Sequence, residues 1–137
     1  MLELLSDINL CSRFDISDAT LLSGVAQGSF VSWDGGAPAS GESAYAIWTE
    51  NRGSEWSSDK GASGQVTILY GNYRAKTSEC VAGDAYTAGK PVYVDSDGKL
   101  TITSTGNSAV VGYAIGEEAS YSWLGNSYAK VVEFVSA

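Results

Sequence analysis

Turn residues punctuate this chain at roughly eight-to-twelve-residue spacing, and the runs between them are short and alternate apolar with polar, which suits strands and not helices. With 16 Gly against 2 Pro, the punctuation favours tight turns over disorder. The clearest instance is Pro91-Val92-Tyr93-Val94-Asp95-Ser96-Asp97-Gly98-Lys99-Leu100-Thr101-Ile102. Val92 and Val94 share one face of an extended segment, Tyr93 takes the other, Asp95 to Gly98 supply a turn, and Leu100 and Ile102 resume the alternation. Gly83-Asp84 and Gly89-Lys90-Pro91 mark the corners before it, because Pro stands only at the start or edge of a strand.

The remaining segments follow the same rule. Phe30 and Ser32 alternate with Val31 and Trp33 ahead of the turn Asp34-Gly35-Gly36, and Tyr45, Ile47 and Thr49 face away from Ala46 and Trp48. Glu50 to Gly64 reads as a long exposed loop around Trp56, whose neighbours are polar. Val66 to Tyr70 is a run of β-formers that Gly71-Asn72 turns into Tyr73 to Thr77. Val110 to Gly116 is a further strand. After Glu117-Glu118, the segments Ser120 to Trp123 and Tyr128 to Val135 form a closing hairpin through Leu124-Gly125-Asn126-Ser127. The expected fold is all-β: a small single-domain barrel or sandwich, with Trp33, Trp48 and Trp123 in the core. At 137 residues the chain can bury one core without metal or disulfide support.

Gly-Asp at 83–84, Gly-Lys-Pro-Val-Tyr-Val at 89–94, the Asp-Gly-Lys-Leu turn at 97–100 and Val-Val-Gly-Tyr-Ala-Ile-Gly at 110–116 also carry a likeness. In this order, over residues 64 to 135, the chain resembles the C-terminal half of the head decoration (capsid cement) proteins of tailed bacteriophages. The resemblance implies a β-tulip domain that sits as a homo-oligomer, trimer or dimer, on the outside of the virion after synthesis in the bacterial host cytoplasm. It further implies that the domain binds the major capsid protein, cements its neighbouring subunits, and reaches the shell with an N-terminal arm.

On that basis residues 1–23 are expected to be the arm and residues 24–137 the decoration domain. Leu2, Leu4, Leu5, Ile8 and Leu10 stand in a segment with no sustained period, and two readings stay open for them. They are a first strand on the domain's own core, or an arm that docks on a partner. Trp56 is a further candidate contact. The alternative function, from a different class, is a carbohydrate-binding module or phage adhesin that stacks exposed Trp and Tyr on sugar rings.

Charge and chemistry narrow the field. A net charge of −8 and a pI of about 4.3 oppose nucleic-acid binding, which rests on basic side chains that displace counterions. No apolar run approaches the length needed to span a bilayer, and no secretory signal opens the chain, so no membrane partner is expected. Cys11 and Cys80 lie far apart and are expected to be reduced thiols. The chain has no histidine, which removes the Ser-His-Asp and Cys-His arrangements and the usual zinc sets. Gly83 to Pro91 imitates a phosphate loop but ends on Pro91 where a hydroxyl should follow the lysine. Asp95 to Gly98 imitates a calcium loop but places Lys99 at an oxygen-ligand position. The acidic pairs Glu117-Glu118 and Asp15/Asp18 read as solvated surface. No catalytic residue, metal or cofactor is expected, and the chain is not expected to be an enzyme.

Overall fold

The computed structural model describes residues 1–6, 11–16, 22, 26–50 and 66–137, with 11–16, 49 and 50 as backbone alone. Among them there is no helix. The strands are β1 (Leu2–Leu4), β2 (Cys11–Ile16), β3 (Phe30–Val31), β4 (Tyr45–Glu50), β5 (Val66–Gly71), β6 (Arg74–Thr77), β7 (Pro91–Val94), β8 (Leu100–Thr101), β9 (Gly112–Trp123) and β10 (Asn126–Ser136). A six-stranded sheet in the order β1-β6-β10-β9-β7-β8 curls into a half-barrel against a four-stranded sheet in the order β2-β5-β4-β3. The all-β expectation holds.

Alternation decides which side chains meet between the sheets. Val92, Val94 and Leu100 from the central hairpin join Ala75, Ala114, Val132 and Phe134 of the large sheet, and Phe30, Ala46 and Leu69 come from the small one. Phe134 is the hub: its ring lies 5.8 Å from Phe30 and 5.9 Å from Tyr73, both in tilted or edge contacts. The opposite face of the small sheet gathers Val31, Ile47, Val66 and Ile68, with Leu22 and Tyr45 packed against them. Val66 to Leu69 is therefore buried on both faces, the reason that this run is almost uniformly apolar.

Three sequence expectations need correction. Gly71-Asn72 does not fold β5 back onto β6: β5 pairs with β2 and β4, while β6 pairs with β1 and β10. The corner, with Gly71 at φ +98, moves the chain from one sheet to the other. Second, Gly116-Glu117-Glu118 does not end a strand. The register shifts between Glu133 and Phe134, which face Gly116 and Ala114, so Ile115 is the extra residue of a bulge and β9 runs on to Trp123. Third, Trp33 and Trp123 are not core. Trp33 is 47% exposed, because β3 ends at Val31 and the Asp34-Gly35-Gly36 turn carries the indole outward. Trp123, half-buried at the end of β9, belongs to neither core cluster, whereas Trp48 packs against the main one.

The N-terminus splits between the sheets. β1 pairs antiparallel with β6 (Leu2 opposite Thr77, Leu4 opposite Ala75), whereas β2 pairs with β5 in the small sheet.

Candidate functional site

Sequence reasoning singled out Leu2, Leu4, Leu5, Ile8, Leu10 and Trp56 as contacts for a partner. Leu2 is 5% exposed and belongs to the main core, and Leu4 packs against that core. The apolar surface of Leu2 is taken up by the domain itself, and that of Leu4 in part. Leu5 is 40% exposed just beyond the strand, where its N–H donates to the Arg74 carbonyl at 2.8 Å. Ile8, Leu10 and Trp56 lie outside the described residues.

The loop between β6 and β7 is pinned from beneath. Tyr86 is 2% exposed, and its hydroxyl donates to the Leu100 carbonyl at 2.6 Å and accepts from the Val81 N–H at 3.1 Å. Burial drives its hydroxyl to a pKa well above the ordinary tyrosine value. Asp84 Oδ2 accepts from Thr101 Oγ1 at 2.6 Å and from the Ile102 N–H at 3.0 Å, which fastens the Gly83-Asp84 corner to β8. Lys130 Nζ, on β10, donates to the Asp84 carbonyl at 2.5 Å and to the Ala82 carbonyl at 3.1 Å, pairs with Glu117 at 3.3 Å, and stands 5.1 Å from the centre of the Tyr86 ring. The Glu117 carboxylate accepts the Tyr86 N–H at 2.8 Å, and that bond, then Lys130, holds its pKa below the usual range.

These contacts explain the imitated motifs. Gly83 to Pro91 leads into strand β7 and uses its acid to tie down β8, while Asp95 Oδ1 is occupied by the N–H groups of Asp97 and Lys99 at 2.9 and 3.0 Å. Glu117 and Glu118 each hold a lysine, Glu118 reaching Lys76 at 2.9 Å. Among the described residues no group of acids and thiols stands where it could hold a metal ion, and Cys80 is free and buried. Sequence reasoning missed Tyr86 and Lys130. The signal for Tyr86 was there, a lone aromatic between two glycine corners, whereas nothing local marks Lys130.

Removing the buried hydroxyl tests this pin. Tyr86→Phe leaves the Leu100 carbonyl without that donor, and we expect a loss of about 1–3 kcal/mol, read as a lower urea midpoint at unchanged slope. An unchanged midpoint would mean that the ring alone holds the loop.

Among the described residues, two exposed surfaces stand out. On one, Trp33 meets Tyr45 and Tyr70 edge-on, at ring separations of 5.3 and 5.9 Å. Tyr45 and Tyr70 also line a shallow groove of about 140 Å³ with Val110 and Ser136. The other is the β9–β10 ribbon. Lys76 Nζ lies 4.5 Å from the centre of the Tyr121 ring, and the Tyr121 hydroxyl donates to Glu3 Oε2 at 2.6 Å, so β1 and β6 brace the ribbon. Glu118 and Tyr121, three residues apart, both reach Lys76, which an unbroken two-residue pleat would forbid. Ser120 between them, at φ +54, restores them to one face.

Residues 15–123 match the phage cement protein family, and no curated protein or solved structure matches the chain. The chain belongs to that family, in agreement with the resemblance carried by the turns at 83–116.

Proposed function

From this membership we propose that the chain is a non-enzymatic structural protein that binds the outside of a bacteriophage head and cements neighbouring major capsid subunits. The family match carries the proposal. The geometry supports it in two ways: the polar clusters are engaged in fixing loops, and the exposed features are apolar and aromatic surfaces of the kind used to adhere. Cementing follows from linkage. A protein attached to two subunits at once makes the second contact intramolecular, so parting the subunits must also break contacts held at high effective concentration. Homo-oligomerisation, as a trimer or a dimer, would multiply the links. Leu5, with Ile8 and Leu10, is the N-terminal part of the proposed contact, and Trp56 is a second point.

The test is co-sedimentation of the purified protein with mature capsids that lack it. Saturable binding is expected, and protein left in the supernatant would sink the proposal. The exposure of Trp33 beside Tyr45 and Tyr70 favours one second reading, stacking on glycan rings by an adhesin. Binding to a glycan array without binding to capsids would select it.

A further inference from the structure

The tip of the β9–β10 ribbon combines three features that do nothing for the domain's own stability. β9 and β10 are joined by Leu124 and Gly125 alone, since Trp123 stands opposite Asn126. The φ values of +50 and +80 make this a type I′ turn, the two-residue hairpin that needs positive φ at both positions. Gly125 accepts this freely, but a leucine pays backbone strain where Asn or Gly would not. Leu124 is also 77% exposed, so its side chain gains nothing by packing in return. Finally, residues 119–129 (Ala-Ser-Tyr-Ser-Trp-Leu-Gly-Asn-Ser-Tyr-Ala) contain no charged side chain, in a protein of net charge −8.

The ribbon is built to hold this tip out. The pairing of β6 with β10 stops at Val132, and that of β7 with β9 lies at Tyr113 and Gly112, so beyond Glu118 and Val131 the two strands pair only with each other among the described residues. Six residues of strand extend about 20 Å. The Lys76–Glu118 and Tyr121–Glu3 contacts brace one part of the ribbon, and the Lys130–Glu117 pair secures another.

We propose that this tip is a docking element, and that Leu124, flanked by Trp123, inserts into an uncharged apolar recess on the capsid shell protein. The inference rests on the cement reading. The absence of charge suits the recess, because burying Leu124 there leaves no ionised group of the tip to desolvate. The small size of the contact selects the shell over a second copy of this chain. A stable dimer needs roughly 800 Å² from each partner, far more than one leucine and part of an indole supply, whereas a lattice-bound protein needs only small contacts that act together.

Leu124→Asn separates binding from folding, because Asn suits the left-handed turn position. The variant is expected to melt no lower than the parent and to bind cement-free mature capsids roughly ten- to a hundredfold more weakly, the range for losing one buried aliphatic side chain. Equal capsid affinity of variant and parent overturns the inference while leaving the cement reading standing. A parent that fails to sediment with capsids overturns the cement reading itself, and this inference with it. If the free parent is an oligomer that Leu124→Asn dissociates, the tip belongs to a contact between copies, and its assignment to the shell is wrong.

Discussion

Gly28→Val is expected to cost at least about 3 kcal/mol and to leave the domain largely unfolded or without its first strand. Gly28 sits at φ +92, where a β-branched residue is strained by itself, and a Cβ at this position would lie 2.2 Å from the Met1 carbonyl oxygen and 2.7 Å from Thr77 Oγ1. Neither neighbour is free to retreat. The Met1 carbonyl accepts the Ser78 N–H at 3.3 Å, and the buried Thr77 hydroxyl donates to the Gly28 carbonyl at 2.8 Å. The Gly28 N–H in turn donates to the Ile47 carbonyl at 3.0 Å, so this glycine is where β1 and β6 of the large sheet meet β4 of the small one. Circular dichroism melts of parent and variant check the expectation. A variant that melts with the parent would show that β1 does not lie against Gly28.

Gly98→Val should act at the opposite side of the same joint. The sequence marked Gly98 as a turn residue on the surface; the structure gives it the expected positive φ, +79, but buries it against β3. Its carbonyl accepts the Phe30 N–H at 2.9 Å, and a Cβ would stand 2.8 Å from the Phe30 carbonyl oxygen and 3.0 Å from Leu22 Cδ2. The strain of a β-branched residue at this φ is about 1–3 kcal/mol, and the clash with backbone adds to it, so the loss should exceed that of a solvent-facing turn. Asp97→Asn is the control. Its side chain is exposed, and the turn is held by its backbone N–H to Asp95 Oδ1, so denaturant unfolding should find it near the parent. Equal midpoints for Gly98→Val and Asp97→Asn would mean that the turn does not dock on β3.

The two glycines also show where the sequence stops being legible. A turn residue is a local choice, so the hairpin at 91–101 could be read from Asp-Gly flanked by alternating runs. A closing hairpin could be read from the segments at 120–123 and 128–135, although its four-residue loop is in fact two residues and its first strand begins at Gly112. The alternation of Tyr45 to Thr49 sorted Ala46 and Ile47 correctly onto two faces. What the backbone of Gly28 or Gly98 approaches is a matter of distant segments, and no local pattern encodes it. The same holds for Lys130, whose carbonyl partners lie more than forty residues away. Trp33 misled for a different reason: alternation predicts which face a residue takes, but β3 ends too early for that face to be covered. Leu2 and Leu4 lacked a long enough run to show a period, so only their pairing with β6 reveals that they serve the core. For the candidate site, the family was legible in the turns, whereas the strain at Leu124 followed only from the register that leaves two residues to close the hairpin.

The central claim is that this protein strengthens a capsid, which is more than adhering to it. The direct measurement is the temperature at which mature, DNA-filled capsids release their DNA to a fluorescent dye, recorded without the protein and with it bound to saturation. A cement linking neighbouring subunits predicts release at a higher temperature when the protein is bound, with the gain disappearing as binding is competed away. Capsids that carry the protein at saturation yet release their DNA at the temperature of bare capsids would contradict the account.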